Sequence, residues 1–115
     1  MTATAKQKIK DLPLEDRPRE RLLAEGSEGL SDAELLAILL GSGTKGSSAL
    51  DIAQELLDRF GGYRGIAGRS IVELTEIEGM GEAKAAVIAA AYEITTRIVE
   101  MVLADLDLNR RARNA

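Results

Sequence analysis

The chain contains no cysteine and no histidine. Without cysteine there is no disulfide framework and no thiolate metal site. The two absences together exclude Ser–His and Cys–His nucleophile systems and a zinc site built from Cys and His. Tryptophan is missing too, and aromatic residues make up only 3% of the chain. A core therefore has to be assembled from Leu, Ile, Val and Ala, a composition that favours helices, because strands enrich β-branched and aromatic residues. No apolar run, Leu35 to Leu40 included, reaches transmembrane length. The amino terminus (Met1, Thr2, Ala3) lacks the apolar stretch of a signal peptide. These shortages predict a cytoplasmic protein with no membrane contact, no cofactor, no metal and no small-molecule substrate. An all-carboxylate magnesium or calcium site is the one catalytic option left. Asp51, Glu55 and Asp58 share a helical face, but a solvated face produces the same pattern, so the chain is read as not an enzyme.

What is present suits one helical domain. The chain has 115 residues, 45% of them apolar. The net charge is −4 and the pI about 4.9, which argues against a strongly basic nucleic-acid binder. It leaves room for a local one, since amides at a helix N-terminus can hold a phosphate without net charge.

Residues 1–16 are polar, with Ile9, Leu12 and Leu14 as apolar anchors, and read as an arm docked on the domain or as a frayed terminus. A first helix is expected over 17–25, capped by Asp16, with Pro18 in the first turn and Leu22 and Leu23 as its apolar contacts. Ser31 and Glu34 have capping-box spacing before a second helix over 32–40, apolar nearly all round and hence central. A Gly/Ser-rich loop leads to a third helix over 49–60, capped by Ser48, with Leu50, Ala53, Leu56, Leu57 and Phe60 in one stripe. Residues 61–69 read as a turn-rich connector from which Ile66 tucks inward. Ser70 and Glu73 repeat the capping box before a short fourth helix over 71–77. A fifth runs from 82 to about 104, with Val87, Ala91, Ile94, Ile98 and Met101 or Val102 at helical spacing. Residues 105–115 read as a polar, disordered tail. The expected fold is all-α: a compact five-helix bundle over 17–104.

The informative segment surrounds Glu78-Gly79-Met80-Gly81. Leu74 and Ile77 lie one turn apart and face inward. Gly79 and Gly81 supply a tight turn with positive φ, Met80 pins it to the core, and Ala83, Ala85 and Ala86 allow close helix approach. The next helix starts at once, so the N–H groups of Gly81, Glu82, Ala83 and Lys84 have no helical partners. They face outward with the positive end of the helix dipole, and Lys84 adds charge. This spacing matches the helix-hairpin-helix element of DNA repair proteins, whose contacts hold the backbone and carry no base information. A plain αα-hairpin has the same outline, and Glu78 and Glu82 flank the turn and oppose a phosphate. The expected nucleic-acid-binding set is Gly79, Met80, Gly81, Ala83 and Lys84. Lys45 joins them as an auxiliary, in the loop between the helices over 32–40 and 49–60, which has the order of parts of a second, degenerate copy but is read first as a plain interhelical connector.

Beyond this element, the strings Ile9-Lys10-Asp11-Leu12-Pro13, Arg17-Pro18-Arg19-Glu20-Arg21-Leu22-Leu23 and Leu30-Ser31-Asp32-Ala33-Glu34-Leu35-Leu36-Ala37, followed by Gly43-Thr44-Lys45-Gly46, resemble the N-terminal helical domain of the bacterial RadC family. The resemblance runs to about residue 98. It implies an association with DNA repair and a role for Arg17, Arg19 and Arg21, although capping of the first helix and pairing with Asp16 and Glu20 is the preferred account of at least one of them. Full-length members resemble two-domain proteins whose second domain carries a His-x-His-Pro-Ser-Gly metal signature. With no histidine here, that site and its hydrolytic activity do not carry over, and residues 105–115 would be a linker to an absent second domain. The leading functional expectation is a non-sequence-specific DNA-backbone-binding module. The alternative is a protein-docking module, for a partner, a homodimer or the family's second domain, through the exposed part of the helix over 82–104.

Overall fold

The computed structural model describes residues 17–41, 43 and 47–114. Six helices form among them, with no strand: α1 (Pro18–Glu25), α2 (Asp32–Leu40), α3 (Ala49–Phe60), α4 (Tyr63–Ile66), α5 (Ile71–Thr75) and α6 (Glu82–Asn114). The all-α expectation holds at this level, with six helices in place of five. The extra one is a single turn inside the connector, and it exists to bury Ile66. Gly65 permits that turn, because a Cβ there would lie 1.5 Å from the Phe60 carbonyl oxygen.

Capping boxes set three of the helix starts. The Ser31, Ser48 and Ser70 hydroxyls accept from the amides of Glu34, Asp51 and Glu73, whose carboxylates accept from the three serine amides in return. Each box satisfies two amides that a helix start would otherwise leave open. α1 departs from expectation. Its N-cap is Arg17, with no side-chain cap, and the expected cap Asp16 lies outside the described residues, as does the arm over 1–16. Leu23 is exposed rather than a core contact.

The core joins Leu36, Ala37 and Leu40 of α2, Ile52, Ala53 and Leu56 of α3, and Ile66, Leu74, Ile77, Met80, Ala85 and Ile88. α2 and α3 pack most extensively, and α6 touches both α5 and α2. Two phenols lace the back of the core. The Tyr63 hydroxyl donates to the Asp32 carbonyl at 3.3 Å, and the Tyr92 hydroxyl donates to the Tyr63 carbonyl at 3.0 Å. Burial, and then the neighbouring Asp32 carboxylate, push the Tyr63 phenol up to about 12.

The largest departure is α6. The expected helix over 82–104 continues to Asn114, through the segment read as a disordered tail. Its buried residues are Ala85 and Ile88 alone, and everything from Glu93 onward is exposed apart from half-buried Asp107. The helix leaves the body after Tyr92 and projects, which gives extents of 66 × 35 × 27 Å. No helix among the described residues is long and apolar enough to cross a membrane.

Candidate functional site

Leu74 on α5 and Ile77 just beyond it are buried, so α5 can lie only with that side against the core. The chain then tightens: the Ile77 amide donates to Leu74 and the Met80 amide to Ile77. Gly79 takes φ +88°, a conformation that costs an L-residue about 1–2 kcal/mol. Met80 is buried among the core residues and holds the turn down, as the sequence predicts. The Ala85 amide donates to the Gly81 carbonyl at 3.0 Å, which makes Gly81 the residue on which α6 starts.

Gly81 corrects one expectation. Its φ is not positive, and a Cβ added to it would meet no atom within 4 Å. The turn needs glycine at 79; at 81 it leaves open space over the start of the helix. The alanines also divide. Ala85 is buried at the α5–α6 contact, whereas Ala83 and Ala86 are exposed and contribute nothing to close approach.

Unlike α2, α3 and α5, α6 starts on a residue with no side chain to cap it. Gly81, Glu82 and Ala83 are exposed and Lys84 is half-buried. The first amides of a helix have no partner within it and carry the positive end of its dipole. The structure thus brings Gly79, Met80, Gly81, Ala83 and Lys84 together in one turn, with Met80 serving from below. Lys45 lies outside the described residues.

The surroundings of this turn are acidic. Asp51, Glu55 and Asp58 of α3 share a groove with Glu76 and Glu78. Asp51 is committed to its capping box, Asp58 accepts from Gln54 at 2.9 Å, and Arg59 reaches Glu76 at 3.4 Å. No group of three or more acidic residues is gathered to hold a metal ion among the described residues. Arg69 is also engaged: it lies 4.8 Å from the Phe60 ring centroid, donates to the Gly65 carbonyl at 2.7 Å and pairs with Glu73 at 3.0 Å. The Ser70 amide, and then Arg69, hold the Glu73 carboxyl below its ordinary value.

One arginine of α1, Arg21, reaches beyond its own helix. Arg21 pairs with Glu34 of α2 and donates to the Gly29 carbonyl, so it ties α1 to α2. Burial would raise the Glu34 carboxyl. The Ser31 amide and hydroxyl, together with Arg21, outweigh it and lower that carboxyl. Sequence reasoning missed this tie and the two tyrosine bridges. Each joins residues far apart in sequence, where no periodicity signals a contact.

A family model described as UPF0758 N-terminal matches residues 9–86. A UPF0758 protein of Desulforudis audaxviator is 54% identical over 89 residues, 77% of this chain and 39% of the relative. One from Methylibium petroleiphilum is 51% identical over 96 residues, 84% of this chain and 43% of its own. One from Dechloromonas aromatica is 50% identical over 100 residues, 86% of this chain and 44% of its own. The chain spans about two fifths of the length of these curated relatives. No solved structure matches it. The family model ends in the first turns of α6, just past the glycine turn.

Proposed function

The chain belongs to the UPF0758 family, the RadC-like family whose motifs it carries, and from that premise we propose that its helical body is a non-sequence-specific DNA-backbone-binding module. In this reading α5, the turn over 76–81 and the start of α6 act as a helix-hairpin-helix. One phosphate sits against the amides of Gly81 to Lys84, with the Lys84 ammonium beside it. The observation that carries the reading is the uncapped start of α6 on Gly81, open to solvent, in a molecule whose α2, α3 and α5 are closed by serine boxes. A backbone-held phosphate needs open amides of this kind. The module binds and does not catalyse, and any repair chemistry belongs to other domains or partners.

The test is an NMR titration of the labelled protein with a short duplex and a forked DNA at low and moderate salt. Amide shifts centred on Gly79 to Lys84 that fade as salt rises are expected, and Lys84→Gln should reduce the salt slope by about one. The absence of shifts with either DNA at low salt would sink the proposal.

A second reading has one observation in its favour. The groove of Asp51, Glu55, Asp58, Glu76 and Glu78 beside the turn repels a polyanion and suits a basic protein surface, so docking of a protein partner is the reading to adopt if DNA leaves the spectrum unchanged.

A further inference from the structure

α1 and the C-terminal half of α2 leave an open groove of about 600 Å³ between them. Its apolar lining is Pro18, Leu22 and Leu23 from α1 and Ala37 and Ile38 from α2. Pro18 and Ala37 are buried and form the floor, Leu22 and Ile38 are half-buried, and Leu23 is 74% exposed. Arg17, Arg19 and Glu20 complete the lining. A single exposed leucine needs no explanation, but one that walls a concave apolar groove is placed to receive another apolar side chain.

We propose that the groove is filled by the chain's own residues 9–16, with Leu12 and Leu14 set against Leu22, Leu23 and Ile38. Three observations choose this occupant. The first is attachment. Arg17 lines the groove and is the residue that follows the segment, so the segment is held at the groove at a local concentration of roughly millimolar, which a separate partner seldom reaches. Residues 9–16 span at most about 27 Å, roughly twice the length of the eight-residue α1, enough to double back along it. The second is the extent of the family unit. The UPF0758 N-terminal match begins at residue 9. It takes in Ile9, Leu12 and Leu14 and leaves out residues 1–8, which hold no Leu, Ile, Val or aromatic residue. The third is charge. Residues 9–16 carry Asp11, Glu15 and Asp16 against Lys10, net −2, whereas Arg17 and Arg19 against Glu20 give the groove lining net +1. The local sequence suits the fit: Pro13 restricts Leu12 to extended backbone, in which residues two apart share a side.

The proposal makes no use of DNA binding, and its test uses no DNA. An exposed leucine with nothing over it should tolerate Leu23→Gln, because surface changes are nearly neutral and Gln forms helix about as well as Leu. With the segment in place, Leu23→Gln should instead lower the folding equilibrium constant about tenfold, read from urea midpoints of the full chain. Leu12→Gln combined with Leu14→Gln should do the same, and the triple variant should be little worse than either, since each change removes the same contact. In methyl NMR spectra the arm variant should shift Leu22, Leu23 and Ile38 and leave the buried Ile52 and Ile88 in place, which also shows that the variant is folded. A neutral Leu23→Gln, strictly additive losses, or groove methyls indifferent to the arm variant would each overturn the proposal. Groove shifts that change on dilution would overturn it in favour of the segment of a second copy.

Discussion

Gly79 and Gly81 share one turn and do different work. Gly79 sits at φ +88°, so Gly79→Ala should lower stability by about 1–2 kcal/mol, read as a drop in the urea midpoint. Gly81 has ordinary backbone and open space, so Gly81→Ala should cost about 0.5 kcal/mol through poorer capping. Glu34 contributes a second residue-scale prediction. Its carboxyl is lowered in the folded state from an ordinary 4.5. Its contribution is therefore complete above that value and is lost as pH falls through the lowered one. Arg21→Ala should flatten this acid dependence, measured as urea midpoints between pH 6 and pH 3.

At the scale of elements, the serine boxes carry the helix starts. Ser70→Ala and Ser48→Ala should each cost about 1 kcal/mol. Ser48 is the more sensitive, because it is buried and its loss strands the Asp51 amide. These starts were legible in the sequence because a box needs only Ser and an acid three residues on. Helix ends at glycine were legible for the same local reason: Gly26, Gly41 and Gly61 follow α1, α2 and α3 with positive φ. The one-turn α4 was not. Its four residues show no period, and it depends on Gly65 fitting under the Phe60 carbonyl and on Ile66 finding the core.

For the whole molecule, a radius of gyration of 17.5 Å exceeds the ~13 Å of a compact chain of about 100 residues, and the projection of α6 accounts for the excess. Hydrogen exchange should follow this shape. Amides near Ala85 and Ile88 should be well protected, and those beyond Glu100 should exchange faster. The tyrosine bridges span the body and give it an alkaline limit. The Tyr63 phenol is raised to about 12 from 10.0. Its contribution is full below the ordinary value and lost as pH rises through the folded one. Absorbance titration should show the Tyr63 tyrosinate appearing above the ordinary range.

The sequence by itself determined the helical class, the three serine-capped starts, the burial of Leu74, Ile77 and Met80, and the need for glycine at 79. Each of these follows from local spacing, capping chemistry or backbone sterics acting within a few residues. Only the tertiary structure decided that Arg21 serves Glu34, that Gly81 is open rather than strained, and that Ala83 and Ala86 face solvent. The same holds for α6, whose apolar period reads identically for a core helix and for one that projects. Periodicity names the face of a helix, and the rest of the fold decides whether anything lies against it.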